Sequence, residues 1–109
     1  MASFEDREKS FEHKYKHDKE LEFKANARRN RLLGLWAAGE LGLSGPDADA
    51  YAKAVVMADF EKPGDDDVLQ KVLGDFRAKG IDITEHRIRK HMTDLMAEAR
   101  RQVMSEVKE

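Results

Sequence analysis

The sequence predicts an all-α protein: a four-helix bundle with a long first helix whose N-terminal arm is flexible when free. Three observations lead there. Turn signals cut the 109 residues into four pieces, at GLSGPD (42–47), KPGDDD (62–67) and KGIDIT (79–84). Each piece carries apolar residues at helical spacing. No alternating apolar and polar run of strand length occurs, so no sheet is expected.

The first piece divides in two. Leu21, Ala25, Leu32, Leu33 and Trp36 form a stripe that strengthens toward Leu41, which predicts a bundle helix over about 19–42. Trp36, four residues from Leu32, reads as core. Residues 1–18 read differently. Phe4, Phe11 and Tyr15 fall within about 40° of one another on a helical wheel, with charge on every other side. Leu21 and Phe23 lie well off that stripe, so the two apolar faces are not continuous. Three aromatics cannot hold a lone helix against its nucleation cost. The attractive pairs Glu5–Lys9, Glu12–Lys16 and Glu20–Lys24 add a few tenths of a kcal/mol each, about, and Glu8–Glu12 is repulsive. Residues 1 to about 18 are therefore expected to be frayed or disordered when free, and to fold on a partner with the three aromatics as anchors.

The second helix is expected over 46–61, with Ala48, Tyr51, Ala52 and Val55 on one face and Val56 and Phe60 beside them. Its alanines would let a neighbour approach closely. Ser44, with Asp47 three residues on, resembles a capping box, and Pro46 suits a first turn. The third helix, 65–79, opens on Asp65, Asp66 and Asp67, negative charge at the positive end of the dipole. Val68, Leu69, Val72, Leu73 and Phe76 share its inner face, and Gly80 reads as its C′ residue. The fourth helix, 84–106, has Asp82 or Thr84 as a cap and Glu85 in its first turn. Ile88, Met92, Leu95, Met96, Ala99 and Val103 form its inner stripe. The expected organisation is an arm over 1–18 and a bundle over 19–109.

Composition narrows the function. The net charge is −2, which argues against nucleic acid and a polybasic membrane surface. There is no cysteine, which removes disulfides and thiolate chemistry and fits a reducing cytosol. No run of about 18 apolar residues appears, so no membrane span is expected. The N-terminus is charged from Glu5 onward without an apolar stretch, so no secretory signal is expected.

No candidate constellation rises above an ordinary helical surface. His13 and His17 are spaced for a metal, but lysines surround them and no acidic ligand joins them; they read as solvated. His86 and His91 do not fit the H-E-x-x-H pattern and read as solvated too. Asp65–Asp67 are accounted for by a helix start. Arg28, Arg29 and Arg31 read as a solvated face or as partners of the acidic second and third helices. Ser3, Ser10, Ser44 and Ser105 have no evident base. No catalytic residue, metal or cofactor is expected, and the protein is not expected to be an enzyme. A small-ligand or anion site would need polar residues inside the core stripes, and none is read there.

The stretches SFEDREKSFEHKY, FKANARRNRLLGLWAA, KAVVMADFEKPGDDDVLQKVLGDF and GIDITEHRIRKHM resemble the zeta subunit of bacterial F-type ATP synthase over nearly the whole chain. The resemblance implies a four-helix protein that inhibits ATP hydrolysis. Its N-terminal segment would enter an interface between catalytic and non-catalytic head subunits, reach the central rotor shaft and stop hydrolytic rotation. The bundle would stay outside as a wedge. The role parallels that of the mitochondrial ATPase inhibitor protein. On this resemblance the partner-binding residues are Phe4, Glu5, Asp6, Arg7, Glu8, Lys9, Phe11, Glu12 and Tyr15. The protein would be cytoplasmic, peripheral to the inner membrane through the synthase head, and a monomer when free. The alternative is a helical adaptor that docks through its N-terminal amphipathic arm on another complex.

Overall fold

Helix-stop and helix-start chemistry sets the architecture. The computed structural model describes the backbone of residues 4–61 and 65–106, with side chains described for 19–59 and 65–106. These residues form four α-helices and no strand: α1 (Phe4–Glu40), α2 (Gly45–Glu61), α3 (Asp65–Ala78) and α4 (Glu85–Glu106). The fold is all-α, with α1 the longest element.

Two helices end in the same way. At α3, Gly80 takes φ +78°, its N–H donates to Arg77 O at 3.0 Å, and Ile81 N–H donates to Phe76 O at 2.8 Å. At α1, Gly42 takes φ +80°, donates to Gly39 O at 3.1 Å, and Leu43 N–H donates to Ala38 O at 2.8 Å. This pattern needs a left-handed residue, which glycine adopts without a Cβ penalty. The following residues, Leu43 and Ile81, both pack against the core, as the motif's hydrophobic contact requires. At the start of α4, Thr84 is the cap: its Oγ1 accepts from Arg87 N–H at 3.2 Å.

The inner faces meet in one core. Leu33 and Ala37 of α1, and Leu41 just past its end, cluster with Val55 of α2, with all five predicted α3 residues, and with Ile88 and Met92 of α4. α1 lies mainly against α2 and α4, and α3 against those same two helices. The close approach expected of α2's alanines is realised at Ala52. A Cβ built on Gly34 would stand 2.6 Å from Ala52 Cα, so the α1–α2 crossing tolerates no side chain there.

Trp36 is half-buried at the edge of this core. It meets Phe76 edge-on, with centroids 5.6 Å apart, and stacks on His91 at 4.0 Å. His91 is thus half-buried against an indole rather than solvated, because its position on α4 faces the α1 aromatic. His86 is exposed as expected.

α1 runs antiparallel to α4. Trp36 faces His91, while Leu21 and Ala25 line one concavity with Val103 and Met104. It runs antiparallel to α2 as well: the short turn from Leu41 to Ser44 folds the chain back, and Gly34 meets Ala52. At 1.5 Å per residue, 37 residues make α1 about 55 Å long, against about 33 Å for α4 and about 26 Å for α2. Its bundle partners therefore run out near Leu21–Phe23, and about 25 Å of α1 precedes that level.

Candidate functional site

The place where α1 outruns its partners is built from a short run of residues, Leu21 to Arg31, and from the C-terminal turns of α4. Arg28 clamps α4 from the side. Its Nη1 donates to Gln102 Oε1 at 2.9 Å and lies 2.7 Å from Glu106 Oε1, and its Nη2 donates to Glu106 Oε2 at 2.9 Å. This two-pronged geometry suits a guanidinium and a carboxylate. The hydrogen bond from Arg28 holds the Glu106 carboxyl below the usual carboxylate range, against a smaller opposing effect of burial. Arg100 of α4 reaches back to Glu22 at 2.8 Å. Two ion pairs thus tie α1 to α4 near the level where the helices part.

A third tie lies deeper. Arg29 is only 4% exposed, its stem covered and its guanidinium donating from Nη2 to Asp65 Oδ1 at 2.9 Å. Its Nε donates to Asn30 Oδ1 at 2.9 Å, and Asn30 is 1% exposed. The hydrogen bond from Arg29 lowers the Asp65 carboxyl pKa, opposed by burial. Next to it, Asp66 accepts from Arg89 of α4 at 2.6 Å. The first residues of α3 are therefore moored to α1 by Asp65 and to α4 by Asp66. The two carboxylates serve different helices, and among the described residues no three His, Asp or Glu side chains converge on a metal position.

The basic run ARRNR resolves into three separate environments. Arg29 pairs with α3, one of the expected partners. Arg28 pairs with α4, which was not expected. Arg31 is exposed. The expectation that no polar residue enters the core stripes is overturned by Asn30 and Arg29. The signal was present in the spacing: Asn30 precedes Leu33 by three, Ala37 by seven and Leu41 by eleven, the spacing of one buried face. A polar identity outweighed a positional rule.

The nine expected partner-binding residues, Phe4, Glu5, Asp6, Arg7, Glu8, Lys9, Phe11, Glu12 and Tyr15, fall on the first turns of α1. Their side chains, and those of His13 and His17, lie outside the described residues. Apolar side chains near the parting level are unusually open: Phe23 is 61% exposed and Met104 58%. No helix among the described residues is long and apolar enough to cross a membrane.

These features define a class: an all-α protein in which one helix extends past the bundle that holds it. The chain belongs to the ATPase inhibitor subunit zeta family, whose sequence profile matches residues 1–102. Membership makes it an ATPase inhibitor subunit, a regulatory protein. A structure solved by solution NMR shares 50% identity with it and superimposes with a TM-score of 0.69, covering 80% of this chain and 99% of that one. No curated protein matches the chain.

Proposed function

We propose that this protein inhibits ATP hydrolysis by bacterial F-type ATP synthase, and that residues 1–18 are the inhibitory arm. In this reading the arm enters an interface between catalytic and non-catalytic head subunits and reaches the central rotor shaft. Rotation in the hydrolytic direction is blocked, and the bundle of residues 19–109 stays outside as the wedge that holds the arm. The protein works in the cytoplasm, attached to the inner membrane only through the synthase head. No cofactor or metal takes part.

The observation that carries the reading is family membership over residues 1–102, the arm included. Physical support comes from the arm's own chemistry. Phe4, Phe11 and Tyr15 give it a narrow aromatic stripe on a part of α1 that precedes the level where its bundle partners run out. The flanking Glu5, Asp6, Arg7, Glu8, Lys9 and Glu12 can align that stripe through rim ion pairs, each worth little, while buried aromatics carry most of the energy of an interface. The helix that bears the arm is fixed to the bundle by Glu22–Arg100 and Arg28–Glu106, so force on the arm is passed to a folded body.

The test is an ATP hydrolysis assay on purified synthase with the whole chain and with a chain beginning at Lys19. The whole chain should suppress hydrolysis while leaving ATP synthesis largely intact. The truncated chain should remain helical by circular dichroism and should not inhibit. Full inhibition by the truncated chain would remove the arm from the mechanism. Recovery of a complex other than synthase head subunits through the arm would favour the adaptor reading.

A further inference from the structure

We infer that the groove between α1, α2 and the end of α4 is a second docking site, which receives an acidic amphipathic helix of the complex that takes up the arm. The inference rests on the proposed function for the identity of that complex. The groove has a volume of about 650 Å³. Its floor is apolar, made by Phe23, Ala27, Val56 and Val103. Three cations stand on its rim: Lys24 and Arg31 from α1 and Lys53 from α2. All three are exposed, and none enters an ion pair among the described residues.

The negative charges there do not cancel them. Glu106 is already held by Arg28, and Lys24 stands only close enough to add to the field on it. That leaves one lining carboxylate, Asp49, against three cations. The groove's fourth cation, Arg28, has a carboxylate partner, as do Arg29, Arg89, Arg100 and Arg101 elsewhere; Arg77, Lys79, Arg87 and Lys90 have none among the described residues but do not line this groove. A concentration of unpaired cations around an apolar floor calls for an acidic ligand with an apolar face.

Shape selects the form of that ligand. Phe23, Lys24, Ala27, Arg28 and Arg31 occupy one side of α1 over about 12 Å, and Asp49, Lys53 and Val56 face them at helical spacing from α2. Two roughly antiparallel helices with a trough between them suit a third helix of two or three turns laid along it, anchored by apolar residues one turn apart. A bilayer surface would fit a convex or flat basic face better than a trough. The groove also adjoins the turn of α1 from which the arm departs, so a surface that has taken up the arm lies within its reach. Charge complementarity of this kind speeds encounter and excludes wrong partners.

The experiment combines K24E, R31E and K53E in the full chain and titrates it into purified synthase beside the unaltered protein and the chain beginning at Lys19. All three positions are exposed, and thermal unfolding checks the fold. Phe23→Ser, a change at an exposed ring, is the second variant. The charge reversal should raise the half-inhibitory concentration about tenfold or more, weaken the salt dependence of inhibition, and leave the inhibition at saturation unchanged. Phe23→Ser should shift the same midpoint in the same direction. The truncated chain should still bind the head weakly, and the reversal should abolish that binding.

Unchanged midpoints in both variants, while the unaltered chain inhibits and the truncated chain does not, would overturn the groove inference alone. Failure of the unaltered chain to inhibit would overturn the proposed function, and this inference with it. A dimer of this chain at assay concentration that the reversal disrupts would mean that a second copy fills the groove, and would overturn the inference. Binding to phosphatidylglycerol vesicles lost on reversal, with inhibition unchanged, would assign the site to a membrane and overturn it as well.

Discussion

α1 is one helix written in two styles. Toward the bundle its inward positions are mostly small or aliphatic: Ala25, Leu33, Gly34, Ala37 and Ala38 are buried, beside the polar Arg29 and Asn30, and Gly34 brings the backbone against Ala52. From Phe4 to Tyr15 the apolar positions are aromatic and sparse; on a helical wheel Tyr15 falls on the same side as Leu33, five turns on, so the break expected between the two faces is one of residue type and not of direction. Small residues suit a helix whose partners are fixed and close. Large aromatics suit contact with a surface that the chain itself does not provide, since they bring much apolar area at few positions. The difference teaches that a helix can be continuous in backbone while its two halves are selected against different neighbours. The ion pairs Glu22–Arg100 and Arg28–Glu106 stand near the change.

The comparison can be broken most forcefully from the core. Phe76 is fully buried and supports Trp36, so Phe76→Ala should cost about 3–5 kcal/mol. For a domain this small that is a large part of total stability. Chemical denaturation should show a large loss of midpoint, and inhibition should fall only as far as the bundle unfolds. A Phe76→Ala protein that kept its midpoint would show that the core lies elsewhere.

Two glycines sharpen the same point at intermediate size. Gly34→Ala places a methyl group 2.6 Å from backbone Cα of Ala52, which cannot turn aside as a flexible side chain could. Overpacking of this kind should cost about 1–3 kcal/mol and lower Tm by several degrees. Gly74→Ala is the counterpart: Gly74 is helical, exposed and has nothing within 4 Å of a built Cβ. It should raise stability by about 0.5–1 kcal/mol through the backbone entropy it removes. Equal responses in thermal melts would mean that the α1–α2 crossing is looser than it looks.

Much of this was legible in the sequence. The four helices, the α3 and α4 inner faces, Gly80 as a helix stop and Thr84 as one of two cap candidates all follow from local rules of spacing and backbone conformation. What was not legible depended on which helices meet. Arg28 pairs with α4 rather than α2 or α3 because α1 and α4 run antiparallel and bring residues 28 and 106 together, 78 positions apart. His91 is covered because Trp36 stands opposite it, 55 positions back (91 − 36). Arg29 and Asn30 were missed because residue type was weighed above register. The groove was invisible for the same reason as the pairs: Phe23, Lys53 and Val103 have no common local pattern.

Acid offers a smaller and more selective perturbation. Arg29 lowers the Asp65 pKa, so the folded state favours the ionised carboxylate. The resulting stability is complete above the ordinary carboxylate value and is lost as pH falls through the lowered folded value. Asp65 is two-thirds exposed at its side chain, so solvent screening limits the contribution to about 1 kcal/mol or less. Asp65→Asn should lower stability modestly at neutral pH and flatten the acid limb of urea unfolding measured from pH 5 down to 2, roughly the span over which a paired aspartate titrates. Identical acid limbs in the two proteins would mean that Arg29 gains nothing from this partner.

The smallest expected effect on stability carries the most information about function. Replacing Phe4, Phe11 and Tyr15 together by Ala leaves the core cluster of the described residues intact, and all three positions precede the level at which α2 and α4 run out. Tm should move by no more than about two degrees, because changes away from core features are worth only about half a kcal/mol. Alanine is the best helix former, so lower helix propensity cannot be blamed for a loss of function. Under the proposed function, inhibition should nevertheless collapse, since the arm would keep its charges and lose its anchors. The reverse replacement, Glu5, Asp6, Glu8 and Glu12 to Gln with the aromatics kept, should reduce inhibition less. If charge removal proved the more damaging of the two, the arm would be held mainly by ion pairs, and the contrast drawn between the halves of α1 would lose its energetic basis.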